Sequence, residues 1–129
     1  ATVEGQVEAA YLESWDVYAH AVYHLELDEQ AFAQVYAGDA LDLRRTEVRR
    51  RLDDRRASFV RLEHDYVIEI DPDGAAANVI DRFVNHQVLI DPETKESLEP
   101  DPNERLLVNF RLQRDSERWK VVFIEKVVS

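Results

Sequence analysis

The sequence predicts an α+β domain in which three N-terminal helices pack on a curved, mainly antiparallel sheet. Apolar residues recur at three- and four-residue steps through about the first 56 positions and at two-residue steps thereafter. Helical periodicity therefore gives way once to strand periodicity. Helices followed by strands, without alternation, indicate segregated layers. The chain has 129 residues, 45% of them hydrophobic, which is enough for a single core without metal or disulfide staples. No repeat, low-complexity tract or linker divides it, so residues 1–129 read as one domain.

Each element has its own signal. From about Val3 to Leu25, the residues Val7, Tyr11, Trp15, Tyr18, Val22 and Leu25 share one helical face, as in a long amphipathic helix. Asp28 is placed to cap a short second helix carrying Phe32, Val35 and Tyr36, and Gly38 to stop it. Asp39 is placed to cap a third helix through about Arg56, with Leu41, Val48 and Leu52 as a thin apolar seam. The stretch Ser58–Leu89 reads as a long hairpin. In its first arm Val60, Leu62, Tyr66, Ile68 and Ile70 fall on one face and Arg61, Glu63, Asp65 and Glu69 on the other, the alternation of a half-buried strand. One polar residue, His64, interrupts the apolar face. Residues 91–103 hold three prolines and many acids and read as a loop. Glu104–Arg114 alternates again, Asp115-Ser-Glu117 turns, and Arg118–Val127 closes the sheet with Trp119, Val121 and Phe123 on one face.

The turn Asp71-Pro-Asp-Gly74 decides what faces His64. Pro presets φ and Gly accepts the left-handed region, which fits a three-residue loop with Gly74 left-handed. That register sets His64 opposite Arg82 and turns Ile80, Val84 and Val88 inward. A two- or four-residue loop turns Val79, Asp81, Phe83 and Asn85 inward instead, since a one-residue slip moves every side chain to the other face, and an Asp81–His64 pair resembling an acid–base dyad would then favour an enzyme. Turn chemistry and the more apolar even-numbered set favour the first.

A formal charge of −11 and a pI near 4.7 disfavour nucleic acid and anionic membrane surfaces as partners. With no cysteine, thiol catalysis, thiolate metal sites and disulfides are excluded. No apolar run approaches the ~18 residues of a membrane span, so direct insertion of this segment is not expected. The chain begins at Ala1 and contains no methionine, as expected of a processed or truncated product.

Glu8-Ala-Ala-Tyr-Leu-Glu-Ser-Trp-Asp-Val-Tyr18, Val60-Arg-Leu-Glu-His-Asp-Tyr66, Asp91-Pro-Glu-Thr-Lys-Glu-Ser-Leu-Glu-Pro100 and Arg118-Trp-Lys-Val-Val122, in an order of helices, hairpin and closing strand, resemble the nuclear-transport-factor-2-like superfamily. The likeness is to uncharacterised bacterial extracytoplasmic members, often secreted or lipid-anchored. The resemblance implies a cone whose sheet wraps the first helix, with any ligand or catalytic group inside it. It also implies dimerisation through the outer sheet face, here Val67, Leu107, Val122 and Ile124. Because the superfamily holds enzymes, carriers and protein-binding domains, fold alone does not name an activity.

Four clusters carry candidate chemistry. His20 and His24 stand four apart on the first helix, a spacing that suits two metal ligands, but on its polar face and without the zincin glutamate. A solvated surface is the better reading. The seven arginines Arg44, Arg45, Arg49, Arg50, Arg51, Arg55 and Arg56 share their helix with Asp39, Asp42, Glu47, Asp53 and Asp54, which suits a salt-bridged solvent face. The acids of the 91–104 segment lack the spacing of a calcium loop. His64 is the strongest candidate, a histidine expected inside the cone with Trp15, Tyr18 and Tyr66 and able to act as a general base.

The expectation is therefore a non-enzymatic domain binding a small hydrophobic or anionic ligand, or another protein. Trp15, Tyr18, His64, Tyr66 and Arg82 are its ligand-binding residues, with no cofactor or metal and a homodimeric assembly. The alternative is an isomerase, dehydratase or cyclase using His64 as acid or base. An open chamber of roughly 300 Å³ or more separates the two.

Overall fold

A computed structural model describes residues 2–127. Three helices, α1 (Val3–His24), α2 (Glu29–Val35) and α3 (Gly38–Asp54), precede seven strands. These are β1 (Ala57–Phe59), β2 (Leu62–Glu63), β3 (Tyr66–Ile70), β4 (Ala76–Asn85), β5 (Val88–Ile90), β6 (Glu104–Asp115) and β7 (Arg118–Lys126). The α+β class and the three-helix, antiparallel-sheet architecture stand as the sequence predicts.

The helix ends follow from local chemistry. The Thr2 hydroxyl accepts from Gly5 N and the Asp28 carboxylate from Ala31 N, each satisfying an orphan donor of the first turn. Leu25, expected on the apolar face, closes α1 in the left-handed region at φ 52°. At α3 the expectation fails. Ala37, not Asp39, is the cap and supplies no side-chain bond, while Gly38 opens the helix at φ 55° rather than ending α2. The junction is instead fixed to the sheet, because Ala37 N donates to Val121 O.

The 57–90 segment is one hairpin in an unbroken register, from Ala57 opposite Ile90 to Ile70 opposite Ala77. Its register is the one the sequence reading disfavoured: Tyr66 faces Asp81, and Val79, Asp81 and Phe83 are buried. Asp71 N donates to Ala76 O and Gly74 N to Asp71 O, so the loop has four residues, Pro72 to Ala75. Gly74 is left-handed at φ 73° as expected, but Ala75 is added, its N–H bonded to the Asp73 carboxylate. The physical reason lies outside the turn. Turning the odd-numbered set inward buries Asp81 among donors, whereas Arg82, the inward cation of the other register, is exposed on the outer face.

β4 pairs β6 with Phe83, Asp81, Val79 and Ala77 opposite Leu106, Val108, Phe110 and Leu112, and β6 pairs β7. A bulge after Arg111 re-aims the end of β7. Phe123, expected beside Trp119 and Val121, is 43% exposed, and Ile124, expected on the outer face, packs against the core. The core lies between the inner face of this sheet and one side of α1, where Val7, Tyr11, Tyr18 and Val22 meet Val79, Phe110, Leu112 and Val121. Phe32 and Tyr36 close it from α2, and the Tyr36 hydroxyl donates to Ser14 O at 2.6 Å. Trp119 is buried as expected, while Trp15 is only half-buried.

Candidate functional site

Asp81 is the centre of the site. It sits mid-strand in β4, is 0% exposed, and faces α1 across the core. Three donors meet its carboxylate. The Tyr11 hydroxyl donates to Oδ2 at 2.6 Å, His64 Nδ1 lies 2.6 Å from the same oxygen, and Asp65 N donates to Oδ1 at 3.0 Å. Trp15 Nε1 donates to the Tyr11 oxygen at 3.0 Å, so the chain Trp15, Tyr11, Asp81, His64 is continuous. His64 and Asp65 fall between β2 and β3, which frees the Asp65 N–H for a side chain while its carbonyl accepts from Arg82 N.

Burial by itself pushes the Asp81 carboxyl up. The hydrogen bonds from His64, Tyr11 and Asp65 outweigh it and hold the carboxyl below its usual range. Burial, then the Asp81 hydrogen bond and charge, push the Tyr11 phenol far up, so Tyr11 remains a donor. An ionised Asp81 requires the proton at Nδ1 of His64, leaving Nε2 as the ring nitrogen not engaged by the carboxylate. Among the described residues Nε2 has no hydrogen-bond partner, and the His64 side chain is 23% exposed. The geometry is that of an imidazole oriented by a buried carboxylate.

The other predicted ligand residues are placed as follows. Tyr18 is buried beneath Arg44, whose guanidinium lies 4.2 Å from its ring centre, 4.9 Å from Trp15 and 5.7 Å from Tyr36. Arg44, read from sequence as part of a solvent face, is thus 6% exposed and held by three rings, with Glu47 at 3.2 Å. The signal was available, since position 44 lies on the Ala40–Val48 seam. Tyr66 turns its hydroxyl outward to Glu8 at 2.8 Å, and burial and that hydrogen bond push it up to about 12. Arg82 is exposed on the outer face and lines, with His64, an open groove at the rim.

Trp15 fills the space beside His64. Its ring centre lies 5.7 Å from Phe83, 5.8 Å from Phe110, 5.9 Å from Tyr18 and 6.3 Å from His64, all tilted or edge-on contacts at packing distance. Sizeable concavities flank this packing. One of about 360 Å³ is set between α1 and α2. An open groove of about 960 Å³ runs along the rim past His64, Arg82, Arg105 and Lys126.

The remaining candidates resolve as surface features. His20 and His24 stack at 4.4 Å, His20 Nε2 meets Glu26 at 3.1 Å, and no group of three metal-ligating side chains forms among the described residues. Arg45 and Arg49 clasp Glu29 at 2.7 and 2.8 Å. Three acids of 91–103 are internal acceptors. Asp91 takes the N–H groups of Glu93 and Thr94, Glu99 that of Leu89, and Asp101 that of Asn103. Sequence reasoning missed His86, which is 8% exposed and bridges Glu63 at 2.6 Å and Asp101 at 2.8 Å. No local pattern pointed to it, because its partners come from β2 and from the loop before β6.

No family model and no curated protein matches this chain. Among solved structures it is similar to the intermembrane space region of the chloroplast protein ARC6, with a TM-score of 0.72 over 95% of this chain and 94% of that one. At 14% identity this similarity extends to the fold alone. A designed β-sheet protein also matches, over 98% of this chain and 92% of that one at 14% identity, but at a TM-score of 0.42 it carries no argument.

Proposed function

We propose that the chain is a non-catalytic domain that binds other proteins on its outer surfaces, its cone closed by its own side chains. The placement of Trp15 carries this reading. Its indole, with Phe83, Phe110 and the Arg44 guanidinium, packs on the interior side of His64, whose ring otherwise borders the open rim groove. On this reading the Asp81 network is a fastener between α1 and β4, and Trp15 and Tyr18 are packing residues rather than ligand contacts. Membership of the nuclear-transport-factor-2-like superfamily, and an extracytoplasmic setting in a larger bacterial protein, rest on the sequence resemblance.

The test uses 8-anilinonaphthalene-1-sulfonate, an apolar anion, titrated into the labelled protein and followed by NMR. The Trp15 indole N–H is expected to stay fixed. A saturable shift of that resonance together with His64 would overturn the closed cone. The second reading, an acid–base catalyst, would then lead. It is favoured by the Asp81–His64 contact and by the rim groove whose wall includes His64.

Self-association is part of the proposal. It rests on the sequence resemblance and on Val67, which is 61% exposed on β3. Sedimentation is expected to give a dimer that Val67→Glu dissociates. A 15 kDa species alone at high concentration would remove the idea.

A further inference from the structure

We infer that the groove between α1 and α2 docks a partner segment carrying an apolar side chain next to a lysine or arginine. The inference rests on the protein-binding reading above and names the partner's chemistry. The floor is apolar: Val17 and Ala21 from α1, Leu27 from the connection, and Phe32 from α2. Its volume of about 360 Å³ falls at the small end of ligand sites, the scale of a side chain rather than a cofactor. Asp16, Glu26 and Asp28 stand in its wall, and neither lysine nor arginine does.

The three acids are not equivalent. Asp28 is turned into α2 to cap Ala31 N, so Asp16 and Glu26 are the carboxylates left to face an incoming cation. Glu26 meets the ring of His20, which also lines the groove, at 3.1 Å, and its side chain is 63% exposed. The C-terminal end of α1 lies alongside, and its carbonyls add negative potential. The same helix end already holds one ammonium group, outside the groove. Lys95 of the chain itself sets its Nζ 3.0 Å from Tyr23 O and 4.5 Å from the Tyr23 ring centre. That pairing of an apolar stem with a cation is what the groove offers to a second chain. The charge of −11 steers such a partner from a distance.

The test is NMR titration with three capped tetrapeptides, acetyl-Gly-Leu-Lys-Gly-amide, its Leu-Glu counterpart and its Gly-Lys counterpart. The Leu-Lys peptide is expected to shift the amides of Val17, Ala21, Leu27 and Phe32 saturably. Its affinity should exceed either control about fivefold, the scale of two exposed ion pairs. Asp16→Asn with Glu26→Gln should bring it down to the Leu-Glu level, and Ala31→Leu, which fills the floor, should weaken it while circular dichroism is unchanged. Equal binding of the Leu-Lys and Leu-Glu peptides, or no saturable shift at the groove up to about 10 mM, overturns the inference. A saturable shift of the Trp15 indole would instead overturn the closed cone, so the two failures are distinct.

Discussion

Replacing Asp81 by alanine removes an acceptor that three groups share. Tyr11 O–H loses a 2.6 Å bond in the core, Asp65 N–H a 3.0 Å bond, and His64 its only carboxylate partner. A buried donor left unpaired costs about 1–3 kcal/mol. Water can reach His64, which is half-buried, and Asp65, which is exposed, so Tyr11 dominates and the expected loss is about 1–3 kcal/mol. Asp81→Asn keeps the shape but not both acceptors. Whichever way the amide turns, its NH₂ meets either the Asp65 N–H or the Tyr11 and His64 pair, and we expect about half the loss of alanine. The sign with pH follows from the lowered Asp81 carboxyl. Its contribution is complete above the unfolded value near 3.8 and is lost as pH falls through the lower folded value. Urea unfolding followed by circular dichroism should therefore give a constant gap between wild type and Asp81→Ala from neutral pH down to about pH 5, closing in stronger acid. A gap under about 1 kcal/mol at neutral pH, or one that widens in acid, would refute the reasoning.

Three further outcomes are expected. Trp119 is 5% exposed, so Trp119→Ala should cost about 3–5 kcal/mol by urea midpoint. Trp119→Phe should cost far less, because the indole Nε1 is buried without a partner and its removal strands nothing. Micromolar zinc or a chelator should leave the thermal midpoint unchanged, whereas an upward shift of several degrees abolished by His20→Ala would make the stacked histidines a metal site. The Glu63 hydrogen bond, and after it that of Asp101, raise His86 against its burial. Its ring should therefore titrate by NMR above 6.5, stabilising the fold below that value and losing the contribution as pH rises through the folded one. Glu63 and Asp101 are lowered, so their share is lost only in acid. A His86 midpoint at or below 6.5 would show that the bridge is not formed.

The pattern of β3 and the inward position of His64 were legible because each is a property of one strand, where alternation needs no partner. The partner of His64 was legible only as the consequence of the disfavoured register. Pro72-Asp73-Gly74 describes a turn without fixing its length, and the acid of the odd-numbered set looked like a solvent residue. What makes Asp81 an interior residue is a phenol 70 positions earlier in the chain, and no local window contains that donor. Arg44 fails for the same reason in reverse. Its helix reads as charged, yet its stacking partners belong to α1 and to the end of α2. Phe123 was misplaced by the bulge after Arg111, since strict alternation assumes a strand without an extra residue. Tertiary partners thus decided the positions where sequence pattern and structure part.

The Trp15 plug has an evolutionary consequence. Behind that one indole stand a fixed carboxylate, a phenol donor and an imidazole whose outer nitrogen is unclaimed, an arrangement that proton-transfer chemistry requires and that is hard to assemble stepwise. Trimming Trp15 to a small residue would open a void against His64, Phe83 and Phe110 at the cost of a few kcal/mol. It would also release the Tyr11 oxygen from its indole donor. On the closed-cone reading, a single substitution would therefore open this acid–base group to a substrate from the interior, so descendants with and without activity could share nearly the same interior.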